Sequence, residues 1–440
     1  MDRILSFIAS AIVATAPLLA QAQLRLPSLS NLPNLSTPSL PTPGQLTQQA
    51  RRDVAPAVDL TRLRQQRIGE MLRQRSELIE ADPAGELMVR SELVLSSPPA
   101  SLMTAARGEG FTVVRERMLD GLDLQFVTVR APAGWDTPRA LRRLQELDPK
   151  AIVDFNHLYL ESGEVQPRTA ARPASASAPL PALPGPKFKV GLVDGGVETQ
   201  HAALRGSSIH AWGCGGTKVA SAHGTAVASL LVGHADRFRS AAPQATLYAA
   251  DVYCNDPIGG SIEAVAAALA WLLSEEVPVV NISLVGPANR TLEQVVKKAT
   301  AKGMLIVAAV GNDGPASPPL YPAAYADVVA VTAIDARGLV IPEACRGPHV
   351  AFAAPGSDMA VANAASNGFT IARGTSFASP LVAGILAASV PSPDSSAAQL
   401  AVAALARRAA DAGAPGRDAV YGYGIVGREL RTEPAFVMAH

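Results

Sequence analysis

From residue 187 onward, short wholly apolar runs alternate with longer alanine-rich stretches. Lys187–Val193 and Met304–Val310 have the length and composition of buried strands. Ile262–Leu273, Thr291–Ala301 and Ala397–Ala410 have helical length and spacing, and Leu381–Ala388 is a small-residue run that suits a buried helix. This alternation predicts an α/β domain with a doubly wound, mainly parallel sheet and helices on both faces. In such sheets ligands bind outside the carboxyl ends of the strands. Upstream the period changes. Glu92–Leu95, Thr112–Arg117, Gln125–Arg130 and Ala151–Leu160 read as strands, Ser101–Arg107 and Thr137–Leu147 as helices, with a turn at Asp120-Gly121. The order is βαββαβ, a small α+β ferredoxin-like unit. Before it, Leu60, Leu63, Ile68, Met71, Leu72 and Ile79 recur at helical spacing, opposite a face rich in arginine.

These patterns divide the chain into seven parts. They are a leader over 1–22, a Leu/Pro/Ser-rich disordered segment over 23–56 and an amphipathic helix over 57–85. The ferredoxin-like unit covers 86–163, a Pro/Ala-rich linker 164–186, the larger α/β domain 187–428 and a tail 429–440. The leader has Arg3 before an apolar stretch and ends in Ala20-Gln21-Ala22, the pattern of a secretory signal peptide. It points to a secreted or periplasmic protein with no membrane span beyond the signal. Residues 168–186, rich in Pro, Ala and Ser, predict a semi-extended connector open to processing.

The 440 residues carry 38 basic and 38 acidic side chains, a balance that points away from nucleic acid and anionic membranes. Hydrophobic residues make up 48% but aromatics only 5%, so the core is built from Ala, Val and Leu, which suit close helix-on-sheet packing. Three cysteines allow at most one disulfide. Connectivity cannot be read from sequence; Cys214–Cys254 is the first choice, leaving Cys345 free. A metal site would need more ligands at closer spacing.

The densest chemical signal is Gly374-Thr375-Ser376-Phe377-Ala378-Ser379-Pro380, a serine among small residues at the start of a helix. That presents a hydroxyl as a nucleophile and lets a substrate backbone approach. Such a serine needs a base, and the base an orienting group. His223-Gly224-Thr225 opens a small-residue helix, and the run ending Val193-Asp194-Gly195-Gly196 places a carboxylate at a strand end. The strand 304–310 runs into Gly311-Asn312-Asp313-Gly314, where the Asn312 amide could donate to an oxyanion.

In the order Asp194, His223, Ser376 these motifs resemble the subtilisin-like serine peptidase family, over roughly 187–428. Pro243–Val252, Val279–Gly286, Tyr321-Pro322-Ala323, Ala353–Gly356 and Tyr421–Val426 resemble further pieces of that family in matching places. The resemblance implies that Asp194, His223 and Ser376 are catalytic and that Asn312 lines the oxyanion hole. It also implies substrate binding along Ser283, Leu284, Val285 and Gly286. It further implies an exported endopeptidase acting through an acyl-enzyme on Ser376, made as an autoprocessed zymogen whose ferredoxin-like unit is an inhibitory prodomain and folding aid. The alternative is a peptidase-like binding or chaperone module with little turnover. The expected partners are protein or peptide substrates and the chain's own prodomain, with no nucleic acid and a monomeric enzyme. The sequence departs from the family at Gly195, where a hydroxyl is usual, at Ala226, where a second histidine is common, and at Val285, where glycine usually lines the primary pocket. Phe377 follows the serine where methionine is frequent. The stretch 233–240 is shorter than the loop that ligates the family's tight calcium, so that site is expected to be absent and no cofactor to be required.

Overall fold

A computed structural model of the protein describes residues 63–166 and 188–438. The expected leader, the 23–56 segment and nearly all of the 164–186 linker lie outside the described residues. The described residues open with helix α1 over 63–74, which ends well short of residue 85 because Ile79 is taken into a sheet. There follow β1 (Ile79–Ala81), β2 (Leu87–Ser96), α2 (Ala100–Gly108), β3 (Thr112–Leu119), β4 (Leu124–Arg130), α3 (Thr137–Leu147) and β5 (Ile152–His157). The strands make one antiparallel sheet, ordered β1-β2-β4-β3 with β5 also paired to β2. Leu93, Leu95, Val127, Val129 and Val153 project from it onto Leu102, Ala140 and Leu144 of the two helices. Asp136 caps α3 by accepting from the Arg139 N–H at 2.6 Å.

The last strand of this unit stops at His157 and does not reach Leu160. Residues beyond it leave the sheet and form two short strands, β6 (Leu160–Glu161) and β7 (Glu164–Val165), whose partners lie far along the chain.

The second layer system contains β8 (Lys189–Asp194), β9 (Ile209–Trp212), α4 (Ala222–Val232), β10 (Thr246–Asp251), α5 (Ile262–Ser274), β11 (Val279–Ile282), β12 (Leu284–Val285), α6 (Arg290–Ala301), β13 (Leu305–Ala309), β14 (Val328–Ile334), β15 (Val350–Pro355), β16 (Met359–Ala362), β17 (Phe369–Arg373), α7 (Ser379–Ala387) and α8 (Ser395–Arg408). Seven of these strands form a parallel sheet in the order β15-β14-β13-β11-β8-β10-β9. Successive residues of a strand face opposite sides, and here both sides are covered. Val190 and Leu192 of β8 pack with Leu231 of α4 and Leu381 of α7, whereas Val193 packs with Leu269 of α5 and Val295 of α6. That double burial is why the strands read as continuous apolar runs.

The antiparallel sheet does not stand apart. Leu119, Leu122, Leu124 and Phe126 join the same core as α5 and α6. The turn Asp120–Leu122 presses so close that a Cβ on Gly121 would lie 2.4 Å from the Ala270 carbonyl oxygen. Polar contacts frame the patch: Arg115 donates to Glu92 at 2.6 Å and Glu263 at 2.7 Å, and Lys302 pairs with Asp123 at 2.5 Å.

Candidate active site

Asp194 ends β8, and strand pairing sets it level with Asp251 on β10. His223 is the second residue of α4, whose start is fixed by the Ser221 hydroxyl accepting from Gly224 N–H at 2.8 Å. The His223 Nδ1 lies 2.9 and 3.0 Å from the two Asp194 carboxylate oxygens. Both side chains are buried, and Asp194 also accepts from the Gly195 N–H at 2.6 Å. No side chain is present at Gly195, and the space it would fill is taken by the Ser221 hydroxyl.

Ser376 lies in a tight turn, Thr375–Phe377, immediately before α7. Gly374 enters that turn at φ 138°, a conformation that a side chain would disfavour. The Ser376 hydroxyl donates to the Ser283 carbonyl at 3.2 Å, and the Ser283 hydroxyl donates back to the Ser376 carbonyl at 3.1 Å. The serine and the histidine are therefore not hydrogen-bonded to each other. His223 Nε2 is buried and faces the Ser162 backbone without a well-formed hydrogen bond.

Asn312 lies three residues past the end of β13. Its side-chain oxygen accepts from the Thr375 N–H at 3.0 Å, which points its amide nitrogen into the cleft. That nitrogen donates to the Ser162 hydroxyl at 2.8 Å.

The cleft is occupied by the chain's own segment 159–165; the sequence implied that the preceding unit is inhibitory, but not which of its residues enter the cleft. β6 pairs antiparallel with β12, Glu161 opposite Leu284 and Leu160 opposite Val285, and the Ser162 N–H reaches the Ser283 carbonyl at 3.4 Å. Tyr159 is fully buried, its ring lying where a side chain on Gly286 would have to be. On the far side of Ser162, β7 pairs antiparallel with β17, Val165 opposite Ala372 and Glu164 opposite Arg373. Between the two strands Gly163 sits at φ 139°, where a Cβ would meet the Phe377 ring at 2.8 Å. An extended peptide thus crosses the cleft by strand addition on both sides of the serine. The available signal was only a short run of extended-compatible residues ahead of a Pro/Ala-rich stretch.

The electrostatics centre on His223. Burial disfavours the imidazolium, but the Asp194 charge and hydrogen bond, joined by the Glu161 charge, outweigh it and push the pKa up to about 9. Glu161 is itself pushed up, by burial first and by Asp194, against the pull of His223. Next to Ser162 lies a cavity of about 420 Å³, lined in part by Leu63, Arg64, Val285, Asn312 and Asp313.

Cys214 and Cys254 are joined by a disulfide, and Cys345 is free and buried. The bond ties the loop after β9 to the loop after β10, alongside Asp251.

A carboxylate holding a buried imidazole, a serine at a helix start, an amide aimed into the same cleft and a strand that pairs with extended peptide together define a serine-hydrolase site for polypeptides. Residues 185–424 match the Subtilase family, so the chain belongs to that family and is a subtilisin-like serine endopeptidase. It is 34% identical over 211 residues to Subtilisin DY of Bacillus licheniformis, a match covering 46% of this chain and 76% of that one. It is 29% identical over 264 residues to the Minor extracellular protease Epr of Bacillus subtilis (strain 168), covering 58% of this chain and 40% of the relative. Among solved structures, fervidolysin from Fervidobacterium pennivorans, a keratinolytic enzyme related to subtilisin, has the same fold, with TM-score 0.62 and 19% identity. That match covers 80% of this chain and 62% of the fervidolysin chain.

Proposed function

We propose that the protein is an exported zymogen whose peptidase domain cuts its own chain between Ser162 and Gly163. The observation that carries this reading is the strand pairing of residues 160–165 across the cleft. It sets the Ser162 N–H on Ser283 and the Ser162 side chain on Asn312, with Gly163 immediately beyond.

In the reaction, the Ser376 hydroxyl turns from the Ser283 carbonyl to His223 Nε2, which takes its proton as Ser376 Oγ attacks the Ser162 carbonyl carbon. Asp194 keeps the other imidazole nitrogen protonated and stabilises the imidazolium. The Asn312 amide and the Ser376 N–H receive the oxyanion. A single donor of this kind contributes about 2.7–4 kcal/mol to the transition state, a magnitude measured on subtilisin itself. Collapse breaks the 162–163 bond, and the departing Gly163 amine takes the proton from His223. Water activated by the same imidazole then frees the Ser162 carboxylate from Ser376. The antiparallel unit is the prodomain in this scheme, holding the cleft until it is removed. Export rests on the leader pattern and on likeness to a relative described as extracellular.

Purified full-length protein and Ser376→Ala test the reading. The unaltered chain should yield a new N-terminus at Gly163 by Edman sequencing and intact mass, and Ser376→Ala should stay uncut at that bond. Cleavage of the variant at the same bond without added peptidase would refute self-processing. Fluorophosphonate labelling of Ser376 in the processed protein separates an active peptidase from a binding module.

A further inference from the structure

Asp313 follows Asn312 and takes no part in acyl transfer. Its side chain is largely buried in the wall of the cavity beside Ser162, and its Oδ2 lies 2.7 Å from the Arg64 Nε. That contact is an ion pair and not an aligned hydrogen bond. The rest of the Arg64 guanidinium is held by Glu86, through two bonds of 2.7 Å. Arg64 and Arg67, the cations that act on Asp313, both lie on α1 and so precede the 162–163 bond. Burial pushes the Asp313 carboxyl up, and these two charges oppose it. Arg373 is no substitute, because Glu343 engages it at 2.5 and 2.9 Å.

The residue seated next to this cavity is a serine, far too small to occupy about 420 Å³. The prosegment instead sends a cation in from α1. Once the segment before Gly163 departs, Asp313 faces an emptied pocket with no counter-charge. We propose that this pocket receives a basic side chain, so that the processed enzyme prefers arginine or lysine immediately before the scissile bond. Arg64 then stands in for the substrate's cation in the precursor. A buried carboxylate that loses its partner is strongly unfavourable, and a substrate cation restores the pair. This inference rests on the peptidase function proposed above.

The test is a set of internally quenched peptides differing only at the residue before the cut, with Arg, Lys, Gln, Met, Ala or Phe there, given to the self-processed full-chain product. Arg and Lys should exceed Gln and Met in kcat/KM by roughly thirtyfold or more, as expected for a desolvated charge pair. Asp313→Asn should cut the basic-to-neutral ratio at least about tenfold. If the unaltered enzyme cleaves Gln and Met peptides as well as Arg and Lys, or if Asp313→Asn keeps the ratio, the inference is overturned while the peptidase function stands. If no peptide is cleaved and Ser376 takes no fluorophosphonate, the peptidase reading fails and this inference with it.

Discussion

Glu161, Asp194 and His223 bring their polar atoms within 4.8 Å of one another, two carboxylates around one imidazole. Asp194 ends β8 of the parallel sheet, whereas Glu161 lies on β6, before the proposed cut. Its negative charge favours the imidazolium, and a general base must be neutral. Self-cleavage should therefore speed up as pH rises towards about 9, the value to which His223 is pushed in this arrangement. Removing the Glu161 charge lowers that pKa, so Glu161→Gln should move the rising limb of the pH–rate profile of 162–163 cleavage to lower pH. Rates from gel densitometry between pH 5 and about 10 would show it. An unshifted limb in the variant would mean that Glu161 does not govern the imidazole.

Individual elements show how the two layer systems depend on each other. The Asp120–Leu122 turn meets α5 at Gly121, where an added Cβ would run into the Ala270 carbonyl. Gly121→Ala should lower the stability of the uncut Ser376→Ala precursor by about 1–3 kcal/mol, the usual cost of overpacking. Calorimetry would detect it as a fall in Tm; an unchanged Tm would show that the sheet shifts freely on α5. Elements of this size were legible in the sequence wherever burial imposed a period. The parallel sheet, α5 and α6 follow from their apolar runs, and α7 and α8 begin two residues before the expected starts, at Ser379 and Ser395. The helix expected to 85 failed because Ile79, which fits its spacing, is held opposite Val89 in a strand. β6 and β7 were illegible for another reason: two residues each carry no period, and their partners lie more than a hundred residues downstream. At the site, the order of motifs named the strand ends and helix starts that meet, including the Asp194–His223 contact. It could not tell where the Ser376 hydroxyl points, because that depends on a rotamer and on what fills the cleft.

At the scale of the whole molecule, breaking one peptide bond does not separate what it joined. The antiparallel sheet would still share a core with α5 and α6, β6 would still be paired with β12, and Arg64 would still face Asp313. The cut protein should therefore begin life as a tight complex of two chains, with activity appearing later than cleavage. Part of the hold is ionic, through Arg115 to Glu263 and Lys302 to Asp123, and partly exposed pairs are screened by salt. The lag between bond cleavage on a gel and hydrolysis of a reporter peptide should shorten at about 0.5 M salt relative to 0.05 M, where the screening length is several-fold longer. Coincident cleavage and activity at both salts would rule out a retained complex.

The triple anchorage of residues 63–162 has a further consequence for how activity spreads through a population. Cutting in cis is first order, so its half-time is the same in a crowded compartment and a dilute one. Escape of the severed piece is reversible, and recapture grows with concentration. One free active molecule can make the departure permanent by digesting a released piece. Activation should then be slow and independent of dose at first, and self-accelerating afterwards. The fold would act as a timer whose delay is set by the first escape and whose end is abrupt.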